Sequence, residues 1–227
     1  MSHLHGTHTR TAYNACMHTR IKFCGMTRPG DVRLAVELGV DAIGLVFAPG
    51  SPRCLDAARA EPLRQAIPPL VHAVALFMDN PGSEVEALVR QLKPDLLQFH
   101  GSESDAFCRG FGLPFVKVLA MGGQAGDAAA QRKRYPSASA FLLDGHAPGK
   151  PGGSGERFDW SCVPPLGKPV FLAGGLQPAN VGEAVRTARP FAVDVSSGIE
   201  SAPGIKDGGR MQQFVEEVKR ADRSVQG

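Results

Sequence analysis

The chain has 227 residues, of which 43% are hydrophobic and 21% charged, and its formal net charge is +3. This length suits one large domain or two small ones, and a surplus of three charges without a dense Lys/Arg run argues against nucleic acid as a partner. No apolar stretch approaches the roughly 18 residues that a membrane helix needs, so a membrane partner is not expected either.

The first sixteen residues differ in character from the rest of the chain. Residues 1–16 are polar, hold three histidines and show neither helical nor strand periodicity. Met17 then directly precedes an apolar run. We therefore expect residues 1–16 to be a disordered extension, or Met17 to be the natural start, and residues 17–227 to form the catalytic domain.

Short apolar, β-branched runs recur along the domain and predict eight strands. They lie at 20–24, 42–47, 71–77, 95–100, 114–120, 139–144, 168–174 and 191–197. Helical spacing of apolar residues follows most of them, at 31–39, 83–92, 178–188 and 209–221. Between the sixth and seventh strands a Gly/Pro-rich loop precedes only one possible helical turn, 158–163.

The alternation of strands and helices predicts a parallel sheet whose two faces are both covered. Eight such units favour closure into a single-domain (β/α)8 TIM barrel over an open, doubly wound sheet. In that fold, the chemistry lies where the strands end and the following loops begin.

The ends of the seventh and eighth predicted strands carry the groups that a phosphate needs. Gly174 and Gly175 let the backbone approach a ligand closely, and Ser196, Ser197 and Gly198 add hydroxyl and N–H donors. Barrels often bind phosphate between these two loops. The simpler reading is that the glycines only make tight turns.

Candidate acid and base groups lie at the ends of other strands. Cys24 ends the first strand and Asp144 the sixth, so the two can face each other across the barrel mouth. A thiolate favoured by a nearby cation is a usable base, and a carboxylic acid can donate a proton. The alternatives are a small buried apolar side chain for Cys24 and a loop hydrogen bond for Asp144.

Further polar residues follow the second and fourth strands. The fork of Arg53 suits a carboxylate, although a surface arginine is the ordinary alternative. Gln98 and His100 share one strand face and are predicted to line the pocket, with a satisfied strand-end histidine as the other reading of His100.

Strand parity predicts an ion pair beneath these groups. Lys22 shares the face of Cys24 one layer deeper, and Asp194 has the same relation to Ser196. Barrel closure makes the first and eighth strands neighbours, so Lys22 and Asp194 should meet. The ammonium group would then favour the Cys24 thiolate.

The five cysteines indicate the compartment. They are odd in number and contain no C-x-x-C pair, and the N-terminus lacks an apolar signal-peptide core. A reducing cytoplasm is therefore expected rather than a disulfide framework, and no structural zinc site is expected.

Over about residues 20–221 the chain resembles the phosphoribosylanthranilate isomerases of tryptophan biosynthesis. The resemblance is carried in order by K-F-C-G-M-T at 22–27, V-F-A-P-G-S-P-R at 46–53, L-Q-F-H-G at 97–101, L-L-D at 142–144, G-G-S-G-x-x-F-D-W at 152–160, A-G-G-L-x-P-x-N-V at 173–181 and F-A-V-D-V-S-S-G-I-E-x-x-P-G-I-K-D at 191–207.

This resemblance implies a barrel enzyme that uses no cofactor or metal. The reaction is an Amadori rearrangement of a phosphosugar, an aldose–ketose isomerisation. It implies Cys24 as general base, Asp144 as general acid, Arg53 on the anthranilate carboxylate, and Gly175, Ser197 and their neighbours on the phosphate. The partner is then a small phosphosugar, and the chain is expected to be a monomer or homodimer.

Two alternatives stay open. Another phosphosugar isomerase of the same fold would share the phosphate loops. The histidine-pathway isomerase uses two aspartates, so the presence of Cys24 argues against that enzyme. A non-catalytic phosphosugar-binding barrel would be expected to lack Cys24 or Asp144, and both are present.

Overall fold

The structure is a computed structural model, and it describes residues 18–122, 128–145 and 158–226. Eight parallel strands close on themselves in sequence order. Their bounds are β1 Arg20–Cys24, β2 Ala42–Val46, β3 His72–Phe77, β4 Leu96–Phe99, β5 Phe115–Ala120, β6 Ala140–Asp144, β7 Val170–Leu172 and β8 Ala192–Val195. The expected eight-stranded barrel is thus confirmed, with each strand inside its predicted range.

Closure occurs between β1 and β8. Lys22 pairs in register with Asp194, and Phe23 pairs with Val195. On the other side of β1, Cys24 is in register with Gly44 of β2. The end of β1 therefore lies between the ends of β2 and β8.

Within the described residues, seven α-helices surround the strands. Their bounds are α1 Pro29–Glu37, α2 Ala57–Gln65, α3 Gly82–Leu92, α4 Asp105–Arg109, α5 Ala128–Arg132, α6 Pro178–Ala188 and α7 Gly208–Gln226. The four predicted helices correspond to α1, α3, α6 and α7. Between β6 and β7, the described residues contain one 3-10 turn, Trp160–Cys162, as the sequence predicted for this weak unit. No helix within the described residues is both long and apolar enough to cross a membrane.

A short hairpin, not predicted from the sequence, follows β8. A 3-10 turn, Ser197–Ile199, leads into β9 (Glu200–Ala202), which pairs antiparallel with β10 (Ile205–Lys206). Gly204 makes the turn with a φ of +79°. This hairpin lies at the mouth of the barrel, because it begins directly beyond the end of β8.

The two faces of each strand pack against different surroundings. Phe23, Ile43 and Phe77 belong to the large apolar core shared with the helices. The alternate residues point into the barrel, where they include Lys22, Cys24 and Gln98. The interior therefore carries polar chemistry, while the apolar core between strands and helices stabilises the fold.

The N-terminal segment 1–16 and the Gly-rich stretch 152–155 lie outside the described residues. The expectation for the first, a disordered extension, therefore stays a prediction.

Candidate active site

A cavity of about 360 Å³ opens where the barrel strands end. Ten of the residues singled out from the sequence line it: Cys24, Arg53, Gln98, His100, Asp144, Gly174, Gly175, Asp194, Ser196 and Ser197. Lys22 and Gly198 do not line it. One concave site thus collects residues from the ends of seven strands, all but β5, which the strand-end rule for this fold anticipates.

Cys24 and Asp144 lie at the ends of two different strands and line the same cavity. Cys24 is the last residue of β1 and Asp144 the last of β6, and both are buried. Gly44 makes room for the thiol, because a Cβ built there would lie 2.7 Å from Cys24 Sγ and 3.0 Å from Lys22 Nζ. A thiol and a carboxyl group are therefore placed to act on one ligand.

The contact predicted between Lys22 and Asp194 is present beneath the cavity. Lys22 Nζ donates to Asp194 Oδ1 at 2.7 Å, and both side chains are at least nine-tenths buried. Burial lowers the pKa of Lys22, but the charge of Asp194, together with that of Cys24 in its thiolate form, outweighs burial and raises that pKa above its ordinary value. Lys22 is consequently a fixed positive charge next to the thiol.

The electrostatic balance at Cys24 differs from the expected one. Burial raises the pKa of the Cys24 thiol, and the positive charges of Lys22 and Lys206 offset only part of that effect. The negative charge of Asp194 raises the thiol pKa further. Desolvation outweighs the lysines because taking a thiolate out of water is costly. Cys24 is thus mainly a thiol at neutral pH, and its base form grows with pH.

Arg53 is held by a partner that the sequence reasoning missed. Its Nε donates to Glu200 Oε1 at 2.7 Å and its Nη2 to Glu200 Oε2 at 2.5 Å. The same carboxylate accepts from Lys206 Nζ at 2.7 Å. The Pro203–Gly204 turn between Glu200 and Lys206 was the available signal, since a Pro-Gly pair marks a hairpin that brings its flanks together.

Lys206 links the Arg53–Glu200 pair to the ends of β1 and β8. Its Nζ donates to the carbonyl oxygens of Cys24 at 2.7 Å and Ser196 at 3.0 Å, and its side chain is fully buried. Burial lowers the pKa of Lys206, while Glu200 opposes that shift. Burial also raises the pKa of Glu200, but hydrogen bonds from Arg53 and Lys206 outweigh it and hold that pKa below its usual range.

The glycine loops after β7 and β8 approach each other closely. Gly174 and Gly175 have φ values of +82° and +63°, which side-chain-bearing residues rarely adopt. Gly198 packs against the Leu176 carbonyl, since a Cβ there would lie 1.9 Å from that oxygen. Asn180, at the start of α6, donates to the Gly175 carbonyl at 2.9 Å and fixes the loop.

Apolar side chains form the wall beside Cys24. Val46, Ala48 and Leu76 are buried together with Cys24, and Met78 packs against them. Val46, Ala48, Leu76 and Met78 also line the cavity.

A buried polar group faces this site from β4. The Gln98 side chain is buried, and its Oε1 accepts no hydrogen bond from the residues that the structure describes. His100, two residues further on, lines the same cavity. Nowhere in the described ranges do three His, Cys, Asp or Glu side chains group as a metal site would require.

Comparison with known proteins identifies the family of the chain. The family model of N-(5'phosphoribosyl)anthranilate (PRA) isomerase matches residues 21–217. An N-(5'-phosphoribosyl)anthranilate isomerase of Stenotrophomonas maltophilia (strain R551-3) is 58% identical over 209 residues, which are 91% of this chain and 96% of the relative.

Solved structures agree with the sequence match. The crystal structure of phosphoribosyl anthranilate isomerase from Thermotoga maritima superposes with a TM-score of 0.79 at 33% identity, covering 89% of this chain and 99% of the other. A second phosphoribosyl anthranilate isomerase, solved with reduced 1-(o-carboxyphenylamino)-1-deoxyribulose 5-phosphate, gives a TM-score of 0.76 at 31% identity, with the same coverage.

Proposed function

The chain belongs to the N-(5'-phosphoribosyl)anthranilate isomerase family, and we propose that it performs the family's reaction with Cys24 as base and Asp144 as acid. The function is that of an isomerase in tryptophan biosynthesis. The observation that carries the residue assignment is the sharing of one cavity by Cys24, Asp144, Arg53 and the glycine loops. These groups match a substrate with a phosphate, a carboxylate and a sugar ring.

The two ends of the substrate are held by different parts of the mouth. The phosphate binds between the loops of Gly174–Gly175 and Ser196–Ser197, where backbone N–H groups and hydroxyls are available as donors. We assign Gly198 to the same site through its packing on the Leu176 carbonyl, which keeps the two loops together. The anthranilate carboxylate binds Arg53.

The aromatic ring and the sugar lie between these two anchors. The apolar wall of Val46, Ala48, Leu76 and Met78 suits an aryl ring. Gln98 Oε1, buried without a hydrogen bond from the described residues, is available to accept one from a sugar hydroxyl. The substrate is thereby fixed with its sugar between Cys24 and Asp144.

The chemistry is a pair of proton transfers. Asp144 donates a proton to the furanose ring oxygen, the C1–O bond breaks, and the anthranilate nitrogen supplies the electron pair that forms the Schiff base. The Cys24 thiolate then removes the C2 proton, and the C2–H electrons shift to give the enolamine. Tautomerisation adds a proton at C1 and leaves the ketone at C2.

The reaction is balanced within the substrate. C2 is oxidised from alcohol to ketone while C1 is reduced from the aldehyde level to an amine-bearing carbon. No external electron acceptor is consumed, so we propose that the enzyme needs neither cofactor nor metal.

The cellular setting follows from the same family membership. The enzyme of Thermotoga maritima is dimeric, and monomers have been generated from it. We propose a monomer or homodimer for this chain, located in the cytoplasm and acting on a small phosphosugar. Residues 1–16 are proposed to be dispensable for catalysis.

The test is the decay of phosphoribosylanthranilate fluorescence on addition of the full chain, with and without EDTA. We expect turnover that EDTA leaves unchanged. Absence of turnover with retained phosphosugar binding would point to a non-catalytic barrel, and EDTA sensitivity would point to a metal-dependent isomerase or epimerase of the same fold.

A further inference from the structure

The side chain of Arg53 passes directly over the end of β1. Its aliphatic stem crosses Gly25, where a Cβ would lie 2.4 Å from Arg53 Cδ. Gly25 has a φ of +72°, so the chain at the end of β1 turns without a side chain and leaves this space open. The guanidinium group beyond the crossing is largely buried, with 11% of the Arg53 side chain exposed.

Glu200 uses only one edge of that guanidinium. Of the five N–H donors of an arginine, the Nε–H and one Nη2–H go to the Glu200 carboxylate. None of the residues that the structure describes accepts from the other edge, formed by Nη1 and the second Nη2–H, and that edge is placed to receive a second carboxylate. Arg53 lines the cavity and Glu200 does not, so Glu200 holds the guanidinium group on the side that faces away from the cavity.

The hairpin that carries Glu200 is itself tied to the barrel at several points. Lys206 Nζ bridges Glu200 to the Cys24 carbonyl. Thr27 Oγ1 donates to the Gly204 carbonyl, and Arg28 Nη2 donates to the Lys206 carbonyl at 2.9 Å. The β9–β10 hairpin thus fixes the Glu200 carboxylate relative to the end of β1.

From this geometry we propose that Glu200 is a positioning residue, which fixes the plane of the Arg53 guanidinium so that its free edge receives the substrate carboxylate. The inference rests on the proposed function, because it takes the anthranilate carboxylate as the ligand of Arg53. Glu200 acts on the substrate carboxylate through Arg53 and does not contact the substrate itself. Lys206 supplies the second cation that keeps Glu200 ionised and in place.

The test is a double-mutant cycle between Glu200→Gln and Arg53→Ala, read out as KM for phosphoribosylanthranilate and as the inhibition constant of inorganic phosphate. Glu200→Gln alone should raise KM about tenfold, the effect of one weakened charge-assisted hydrogen bond, while the phosphate inhibition constant stays unchanged. In the Arg53→Ala background, Glu200→Gln should change KM little, because its route to the substrate is gone.

Glu103→Gln is the matched control. Glu103 is a second buried carboxylate paired with a buried lysine, Lys117, at 2.8 Å, and it contacts neither Arg53 nor the cavity. Its effect on KM, if any, should be additive with that of Arg53→Ala. If Glu200→Gln does not fold, Glu200→Asp, which keeps the charge one methylene further away, replaces it in the same cycle.

Three outcomes would overturn the inference. They are an unchanged KM in Glu200→Gln, a parallel loss of phosphate affinity, and effects on KM that add to those of Arg53→Ala. Failure of the unmutated chain to turn over phosphoribosylanthranilate would instead refute the proposed function, so the two failures are distinguishable.

Discussion

Replacing Lys22 by methionine removes an ammonium group that is 2.7 Å from Asp194 and beside the Cys24 thiol. Lys22 lowers the pKa of Cys24, whereas Asp194 raises it. Lys22→Met should therefore raise the thiol pKa further, and Asp194→Asn should lower it. The two substitutions in this one ion pair should therefore shift the Cys24 pKa in opposite directions, a result that a general loss of activity would not produce.

The size of the effect follows from proximity and burial. An opposite charge close to a titrating group shifts its pKa by about one to three pH units. The rise of kcat/KM with pH should accordingly move upward by about one pH unit or more in Lys22→Met. Since each pH unit is a tenfold change in thiolate, the rate at neutral pH falls about tenfold or more and recovers in alkaline solution.

The assay combines the pH dependence of kcat/KM with the pH dependence of Cys24 alkylation, followed by mass spectrometry of the peptide that contains Cys24. Arg53, Lys206 and Glu200 are left intact, so their charges cancel in the comparison. Lys117→Met is the control, because it breaks another buried lysine–carboxylate pair away from the thiol. It should destabilise the fold by about 3–5 kcal/mol without moving the pH profile.

A shift of the Cys24 titration in the same direction in both variants, or an unchanged titration in Lys22→Met, would show that Lys22 and Asp194 do not set the thiol pKa by their charges. Should that variant fail to fold, the double variant Lys22→Met/Asp194→Asn removes both charges of the pair. Its Cys24 pKa should lie above that of the unmutated chain, because Lys22 lowers the thiol pKa more than Asp194 raises it.

Two further substitutions test other parts of the site. Arg53→Ala should raise KM for the substrate roughly 10- to 150-fold, the loss of a charge-assisted hydrogen bond, and leave inorganic phosphate binding nearly unchanged; equal loss for both ligands would place Arg53 at the phosphate. Gly44→Ala should lower kcat by up to about 10², since its methyl group displaces Cys24 Sγ and Lys22 Nζ. Gly30→Ala, where a Cβ meets nothing within 4 Å, is its control, and equal kcat in both variants would show that the space at Gly44 does not position Cys24 for catalysis.

The barrel strands could be predicted because they are buried on both faces. Each is a short run of apolar residues bounded by glycine, proline or charge, and this pattern is independent of distant contacts. The Lys22–Asp194 contact could also be predicted, since strand parity and barrel closure are regular geometric rules.

The helix α2 could not be predicted from apolar spacing. It contains Pro62 and buries only Ala60 and Leu63, so it lacks the apolar stripe that marked the other helices. Its start depends on Asp56, whose side chain accepts from Arg59 N at 2.8 Å. Its helical state comes from that cap and from its place between two strands of the barrel.

The partner of Arg53 could not be predicted because it lies 147 positions away, in a hairpin of only two short strands. No periodicity marks segments so short. The raised pKa of Cys24 could not be predicted from the sequence either, because it results from a balance between burial and three neighbouring charges. The Pro203–Gly204 pair marks the turn of the hairpin, but the pairing of Glu200 with Arg53 and the pKa of Cys24 depend on the packed geometry.

The proposed mechanism depends on Cys24 as the base of the reaction. Measuring kcat of Cys24→Ser, alongside its affinity for reduced 1-(o-carboxyphenylamino)-1-deoxyribulose 5-phosphate, tests this role. We expect kcat to fall by roughly 10² to 10⁴ while affinity for the reduced product is preserved, because a serine hydroxyl fills the same place without supplying a usable base. A Cys24→Ser chain that turns over phosphoribosylanthranilate at a near-unmutated rate would show that Cys24 is not the base.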